Sequence, residues 1–404
     1  MRRHILAAFV LVPAAALLAF NTGYFSSATP AVAQSALPAA RTCDRHCDPA
    51  WMDANLRLND IQIVGTGQSY KQRPSSSVMT LIRMGGREGA EALDFAMPSL
   101  PAQLDRDVRA LSFDVAFDPK GGHLRNPAAA SMAMELLDKD YVAVMDRPGF
   151  KVLHVLDVDY QSSCLMLADC LKQVAGWSRA HPRHLPIVIT LRPNTSKTPM
   201  PGATEPKNFD AAALDALDGE IRAAFTPDRV ITPQQMQGGH ASLREAALGG
   251  AWPLLGAARG KVIFVLRADA PVVKAYQGHR KSLEGRAMFV AMTDETSPLA
   301  AFLAIPDPVK DRDRIVQAVR DGFVVRTHAD SQTREARKAD TARRDAAFAS
   351  GAQIVETNFP VADPAIGPYR VSQQDNPRAL CGPALGSETC AAFPTPATLA
   401  QALP

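Results

Sequence analysis

The sequence predicts an α/β protein built as a single (β/α)8 barrel of the TIM type, with disulfide-braced loops. Two observations support this prediction. Eight short apolar runs follow one another along the chain, and helical patterns separate most of them, as expected of parallel strands joined by helices. Once an N-terminal targeting segment is set aside, roughly 370 residues remain, which is enough for one barrel of ~250 residues with insertions.

The predicted strands are short, apolar and bounded by turn residues. They are Ile61–Gly67, Leu111–Phe117, Val152–Leu156, Pro186–Leu191, Lys261–Leu266, Ala287–Met292, Phe323–Thr327 and Gln353–Thr357. The predicted helices carry apolar residues three and four positions apart or lie between these strands. They include Pro101–Ala110, Met132–Leu137, Leu165–Ala180, Phe209–Phe225, Val309–Asp321 and Ser331–Ser350.

The first residues form a targeting segment. Arg2 and Arg3 precede an apolar run, Ile5–Phe20, and Ala31–Ala33 supplies the small residues of a cleavage site, a pattern typical of a secretory signal peptide. We therefore expect a secreted or periplasmic protein. Its expected organisation is a signal peptide (1–33), a linker with an N-terminal braced segment (34–55), a barrel (56–360) and a C-terminal extension (361–404).

The overall charge is small. The formal net charge is +3 and falls to +1 without Arg2 and Arg3. A balance this close to neutral argues against a nucleic-acid partner and against strong attraction to anionic lipid. The near-neutral net charge is compatible with a transient contact between the protein and a membrane surface.

The six cysteines fall into three local pairs. Export, an even count and short spacings predict the disulfides Cys43–Cys47, Cys164–Cys170 and Cys381–Cys390. His46 lies inside the first pair, so a metal site is the alternative there. An oxidising compartment and the lack of a further ligand cluster nearby favour the disulfide.

Polar and ionisable side chains stand at or just after the predicted strand ends, where the active sites of such barrels lie. The set is Gln68, Asp114, His154, Arg192, Arg326 and His328. A carboxylate such as Asp157 beside His154 can fix the tautomer of the imidazole and make it a general acid. A histidine packed in the core without a catalytic role is the alternative.

The arginines of this set indicate the ligand. The planar guanidinium groups of Arg192 and Arg326 suit a phosphate, because they bind oxygens in pairs. A pairing of Arg326 with Asp330 or with a backbone carbonyl is the alternative. Together with His154, the arginines predict phosphoryl chemistry at the mouth of the barrel.

Several segments resemble the bacterial calcium-dependent phosphoinositide phospholipase C family. The most distinctive are WPLLGAARGKVIFVL (Trp252–Leu266) and GHRKSLEGRAMF (Gly278–Phe289), and the resemblance extends from about Leu56 to Pro360. It implies a (β/α)8 barrel and an exported enzyme that cleaves phosphatidylinositol to diacylglycerol and an inositol phosphate. It also implies two catalytic histidines and a Ca²⁺ ion held by Asn, Glu, Asp and Glu.

Carrying these roles over exposes differences at the first strand. The family's G-T-H-N-S-Y is here GTGQSY (Gly65–Tyr70), so Gly67 replaces the first catalytic histidine and Gln68 replaces a calcium-ligating asparagine. The second histidine is present as His154. The resemblance therefore implies that this chain keeps one of the family's two catalytic histidines, His154, and lacks the other.

The remaining metal positions also differ. The family's E-x-D is here Ser112-Phe113-Asp114, and its L-E-P is Leu191-Arg192-Pro193. Asp114 is the one carboxylate that remains as a metal ligand, and Arg192 places a cation where Ca²⁺ seeks charged oxygens. The sequence thus predicts a degraded calcium site. Replacement of the metal by Arg192 and simple loss of the site are the two alternatives.

Three functions follow from these expectations. The first is a phosphodiesterase of the phospholipase C type with a remodelled, metal-free site that is weak or inactive as a calcium-dependent enzyme. In it, His154 acts with Asp114, and Arg192, Arg326, Gln68 and His328 bind phosphate or substrate. The second is a non-catalytic phosphate- or lipid-binding protein on the same barrel. The third is a glycerophosphodiester phosphodiesterase, which needs its own paired histidines and metal carboxylates.

Overall fold

The computed structural model describes residues 49–372. Its centre is a barrel of eight parallel strands, with one further antiparallel strand, β3. The strands are β1 (Ile63–Thr66), β2 (Val108–Asp118), β3 (Gly149–Val152), β4 (Ile187–Pro193), β5 (Val262–Leu266), β6 (Met288–Met292), β7 (Phe302–Ala304), β8 (Val324–His328) and β9 (Ile354–Thr357).

The barrel closes without a free edge. The strand order is β1-β9-β8-β7-β6-β5-β4-β2, and a parallel pairing of β1 with β2 joins the two ends. Closure removes the unpaired backbone groups of an open sheet. The predicted fold class is confirmed.

Fifteen α-helices lie along the described chain, and polar residues cap many of them. Asp210, for example, accepts a hydrogen bond from the Ala213 amide at the start of α8. The helices are α1 (Pro49–Asn55), α2 (Ser76–Gly85), α3 (Arg87–Leu93), α4 (Leu100–Leu104), α5 (Ala128–Met132), α6 (Lys139–Met145), α7 (Leu167–Ala180), α8 (Ala211–Ala224), α9 (Pro233–Gln237), α10 (Leu243–Leu248), α11 (Leu255–Ala258), α12 (Ala270–Gln277), α13 (Arg312–Arg320), α14 (Arg334–Lys338) and α15 (Ala342–Ser350).

The predicted third barrel strand is wrong. Residues 149–152 form β3, which runs antiparallel to the end of β2, with Val115 opposite Val152. His154 follows β3 in a loop, so it reaches the barrel mouth from outside the barrel. The strand that completes the barrel is β7, whose three residues lie in an alanine-rich run that carries little strand signal.

Two helix predictions were too long. The predicted helix 331–350 is divided into α14 and α15, because Ala339 adopts a left-handed conformation (φ 50°). The predicted helix 101–110 ends at Leu104, and Val108 already belongs to β2. The predicted helix Met132–Leu137 is wrong, because only Met132 is helical, as the last residue of α5, and the chain turns at Met134 (φ 52°) and has no regular structure until α6 begins. The boundaries of the other helices differ by a few residues, as helix ends commonly do.

The segments that flank the barrel pack onto it. Met52 of α1 is buried, and Asp53 forms an ion pair with Arg259. At the other end, Tyr369 and Val371 are buried in a cluster with Phe359. Both described termini are therefore part of the packed structure.

The Cys164–Cys170 disulfide is present and joins the loop after β3 to the first turns of α7. The pairs Cys43/Cys47 and Cys381/Cys390 and the predicted signal peptide lie outside the described residues. Within residues 49–372, no helix has the length and apolar character needed to cross a bilayer.

Gly65 is required by the crowded interior of the barrel. A Cβ atom at this position would lie 2.6 Å from the Ala110 Cβ and 3.4 Å from the Ile354 side chain. We expect Gly65→Ala to destabilise the protein by ~1–3 kcal/mol, as other overpacked cores do. Urea denaturation of the purified protein measures the difference.

Gly89→Ala is the matched control. Gly89 lies in α3, and no atom stands within 4 Å of the Cβ that alanine would add. Alanine is favoured over glycine inside a helix, so this variant should gain up to ~1 kcal/mol. Equal effects of the two substitutions would contradict the packing described for Gly65.

Candidate functional site

A groove of about 690 Å³ opens at the carboxyl ends of β2, β4 and β5. Side chains from three strand ends and from the loop after β3 line it. They include Asp114, His154, Arg192, Asn194 and Arg267. This is the end of the barrel at which enzymes of this fold carry their active sites.

Arg192 and Asp114 form the central ion pair of the groove. The Arg192 Nε lies 2.7 Å from Asp114 Oδ1, and Arg192 Nη2 donates to Asp114 Oδ2 at 2.8 Å. Arg192 Nη2 also lies 2.9 Å from the Gly67 carbonyl, and the Tyr70 hydroxyl donates to Asp114 Oδ2 at 2.7 Å. The two residues lie opposite each other in the register of β2 and β4, which sets the pair by backbone geometry.

Below this pair, a second buried carboxylate lies inside the barrel. Glu356 of β9 accepts a hydrogen bond from Ser112 Oγ at 2.7 Å and forms a close ion pair with Arg326 of β8. β1 separates β2 from β9, yet Ser112 reaches Glu356 directly.

These charges set the ionisation states of the barrel mouth. Burial would raise the pKa of Glu356, but Arg326, His328 and Arg192 outweigh it and lower that pKa to about 2. Burial lowers the pKa of His328 to about 3; the nearby arginines also lower it, against the opposing effect of Glu356. At neutral pH, Glu356 is therefore ionised and His328 is neutral.

His154 is held by a buried carboxylate. Its Nδ1 lies 2.9 Å from Asp159 Oδ2, and Asp159 in turn forms an ion pair of 3.0 Å with Lys71. The side chains of Asp159 and Lys71 are fully buried. Asp159 thereby holds the proton of neutral His154 on Nδ1 and leaves Nε2 as the reactive nitrogen.

Gln68 covers that reactive nitrogen. Its Nε2 lies 2.7 Å from His154 Nε2, and its Oε1 is buried without a partner among residues 49–372. The amide donates to neutral His154, and the same amide turned over would accept a proton from the imidazolium. The Gln68 amide can thus form a hydrogen bond with His154 in either protonation state of the imidazole.

A smaller cavity of about 190 Å³ lies at Gly67, the position that the sequence resemblance assigns to the first catalytic histidine. Gly67, His328 and Glu356 line it, and Arg192 separates it from the larger groove. A Cβ atom at Gly67 would stand 3.2 Å from Asn358 Oδ1 and 3.5 Å from Glu356 Cδ. An imidazole at position 67 would therefore extend towards a buried carboxylate.

The structure brings most of the predicted set together. Gln68, Asp114, His154 and Arg192 meet at the groove, while Arg326 and His328 surround Glu356 beneath and beside it.

Two expectations are wrong. Asp157 does not orient His154, because its carboxylate binds Ala128 and Thr204 instead; Arg326 pairs with Glu356 and not with Asp330.

Sequence reasoning missed Glu356 and the carboxylate that orients His154. Side chains alternate along a strand, so Glu356 shares its face with Ile354, which packs in the barrel core; that alternation could have identified it. Asp159 is reached by a tight turn, in which Val155 bridges to Asp159, and no local pattern marks which of two nearby aspartates turns inward.

The positions that the sequence resemblance assigns to metal ligands carry an ion pair between Asp114 and Arg192. Asp114 already shares both carboxylate oxygens with Arg192, and the other positions hold Ser112 and Gln68. Within residues 49–372, no group of three or more His, Cys, Asp or Glu side chains could hold a metal ion.

Comparison with protein families identifies one match. The family described as phosphoinositide phospholipase C, Ca²⁺-dependent, matches residues 56–383 of this chain. Comparison with curated proteins finds no match.

Several solved structures are similar to this one. A calcium-dependent phosphoinositol-specific phospholipase C from a Gram-negative Pseudomonas species shares 17% identity at a TM-score of 0.48, over 76% of this chain and 92% of that chain. A Ca²⁺-dependent phosphatidylinositol-specific phospholipase C from Streptomyces antibioticus shares 16% identity at a TM-score of 0.44, over 75% and 94%. The phosphatidylinositol-specific phospholipase C from Listeria monocytogenes shares 14% identity at a TM-score of 0.40, over 77% of this chain and 94% of that chain.

Removing the amide of Gln68 should expose the Nε2 lone pair of His154. We expect Gln68→Ala to increase the rate at which diethylpyrocarbonate acylates His154 by roughly 2- to 10-fold, the equivalent of one net hydrogen bond. Mass spectrometry of the peptide that contains His154 gives the rate, and exposed His279 serves as the internal reference. An unchanged rate at His154 would show that Gln68 does not cover it in solution.

Proposed function

Because the chain belongs to the calcium-dependent phosphoinositide phospholipase C family, we propose that it recognises the phosphodiester of phosphatidylinositol with an arginine in place of calcium. The observation that supports this is the two-point ion pair between Arg192 and Asp114 at the head of the groove. Arg192 can offer hydrogen bonds and positive charge to phosphate oxygens, the two things that a bound cation supplies.

The residues at the expected metal positions do not fit Ca²⁺. Calcium takes six to eight oxygen ligands, several of them charged, and here one carboxylate is present and already neutralised. A cation entering beside Arg192 would meet repulsion of about 4 kcal/mol per unit charge product at ~4 Å and an effective dielectric of 20. We therefore assign no step of the reaction to a metal.

His154 remains equipped as a proton donor. Its Nδ1 is held by Asp159 and its Nε2 faces the groove beside Gln68, so the protonated imidazole could pass a proton from Nε2 to a leaving alcohol oxygen. Asp114 orients Arg192 against the phosphate, and Arg326 adds positive charge from beneath. In this assignment His154 is the general acid.

The other half of the acid–base pair is missing. Gly67 offers no base, and the neighbours are poor substitutes: Glu356 is held ionised by Arg326, and the pKa of His328 is lowered to about 3. Loss of a general base costs ~10²–10⁴-fold in rate. We accordingly propose a weak or inactive phospholipase C.

A non-catalytic binding protein is the second candidate. The contact between Gln68 and the reactive nitrogen of His154 favours it, since this nitrogen is engaged within the protein. The groove, Arg192 and Arg267 would then serve to hold a phosphorylated headgroup. The two candidates differ only in whether a phosphodiester bond is broken.

The substrate of this family lies in a membrane, and exposed apolar side chains suit contact with it. Met84 is 82% exposed near the end of α2, and Met134 and Leu136 are 90% and 96% exposed on the segment between α5 and α6. Glu135 anchors the loop between them through hydrogen bonds with Ser75, Ser77 and Tyr160. We propose that the protein is exported and that these side chains make a transient contact with a membrane surface.

The central test uses vesicles that contain phosphatidylinositol. We expect the mature protein to bind them in EDTA and in Ca²⁺ alike, and to release soluble inositol phosphate at least ~10²-fold more slowly than active family members. Binding without release identifies the non-catalytic candidate. Calcium-stimulated turnover at the family's level would overturn the proposed function.

Restoring the family's residues should restore a calcium site. We expect the triple variant Gly67→His, Ser112→Glu, Arg192→Glu to bind Ca²⁺ measurably by calorimetry, because it adds two carboxylates beside Asp114 and removes the cation. Gly67→His alone is the control and should show no calcium heat. A flat titration of a folded triple variant would show that these positions do not form the metal site.

A further inference from the structure

Arg267 is the arginine of the groove that has no protein partner. Its backbone N–H donates to the Leu191 carbonyl at 2.9 Å, which places it beside Arg192 at the neighbouring strand end. Its side chain lines the groove with Asp114 and Arg192 but makes no hydrogen bond or ion pair with any described residue. A partly buried guanidinium without a partner favours binding of an anion from outside.

Arg326 has hydrogen-bond donors that no described residue pairs. Its Nη2 is engaged by Glu356, while its Nε and Nη1 are buried and lack a partner among residues 49–372. Buried donors left unpaired cost ~1–3 kcal/mol each, so such positions usually have a ligand or an ordered water. Burial lowers the pKa of Arg267 to about 10, and the charge of Arg326 adds to this effect. Arg267 thus stays protonated at neutral pH.

Among the buried and half-buried side chains at and beneath the groove, one cation is in excess. Arg192, Arg267 and Arg326 face the two carboxylates Asp114 and Glu356, which pair with the first and the last of these arginines. Asp269 and Lys197 also line the groove, but Asp269 is exposed and caps α12, and Lys197 pairs with Glu205. His328 is neutral at pH 7 and adds no charge. The free positive charge is therefore that of Arg267.

We propose that Arg267, with Arg192, forms a subsite for a phosphate monoester dianion. A phosphate monoester carries close to two negative charges above its second pKa of ≈ 6 and has three terminal oxygens. A phosphodiester has one charge and two terminal oxygens. The protein accordingly binds an inositol that carries a terminal phosphate more tightly than it binds the diester. This inference rests on the proposed function and specifies its ligand class.

Calorimetry of the mature protein in EDTA at pH 8 tests the subsite. The probes are inositol 1-phosphate as the monoester and glycerophosphoinositol as the diester. We expect the monoester to bind ~10-fold more tightly, which corresponds to about 1.4 kcal/mol. Arg267→Met should bring the two affinities within ~3-fold of each other, because the excess charge is lost.

Two further variants separate charge from folding. Arg267→Lys keeps the charge and should retain most of the preference for the monoester. Arg312→Met removes an arginine whose side chain is 58% exposed on α13, away from the groove, and should leave both affinities unchanged. Thermal melts of each variant establish that it is folded.

The outcomes are distinguishable. Equal affinities in the wild-type protein, or a preference that survives Arg267→Met, would overturn the subsite while leaving the proposed function intact. Failure of both probes and of phosphatidylinositol vesicles to bind would reject the proposed function itself. Vesicles that contain phosphorylated phosphatidylinositol distinguish the sources. Tighter retention of the protein on them than on phosphatidylinositol vesicles assigns the monoester to a lipid headgroup, whereas equal retention, with the soluble monoester still preferred, assigns it to free inositol phosphate.

Discussion

The site depends on how the barrel compensates buried charge. Arg192 and Asp114 are neighbours on adjacent strands, and each lies where water is largely excluded. Breaking such a pair by removing one partner leaves an uncompensated charge and costs about 3–5 kcal/mol. Burial alone would lower the pKa of Arg192, but Asp114 and Glu356 outweigh it, so the arginine is firmly protonated.

The same constraint explains why the substitutions at the family's positions form a consistent set. Arg192 donates to the Gly67 carbonyl, and a serine at 112 donates to Glu356 while Glu356 keeps its ion pair with Arg326. A glutamate at 112 would instead crowd Glu356 with a second buried negative charge. With Arg192 in place of a metal, further glutamates at the expected ligand positions would be carboxylates without a cation to neutralise them. Their absence avoids that unpaired negative charge. The pairs Arg192–Asp114 and Arg326–Glu356 are thus formed without a metal.

The sequence predicted the barrel well and the site in part. Seven of the barrel strands carry enough Val, Ile and Phe to be recognised, whereas β7 has three residues in an alanine-rich run. The strand proposed around His154 looked like a barrel strand because its apolar composition is the same, and only the pairing partner reveals that it runs antiparallel. Glu356 and Asp159 act through contacts with residues more than 80 positions away, Ser112 and Lys71, and such pairings are set by tertiary structure.

The central claim is that Arg192 takes the place of calcium, and the thermal stability of the wild-type protein tests it most directly. A ligand that binds the folded state raises its stability by RT ln(1 + [L]/Kd), so a calcium site would raise the Tm by several degrees at saturating Ca²⁺. We predict that the melting curves in EDTA and in millimolar Ca²⁺ coincide within ~1 °C. A Tm that rises progressively with calcium concentration, and falls again when EDTA is added, would contradict the account.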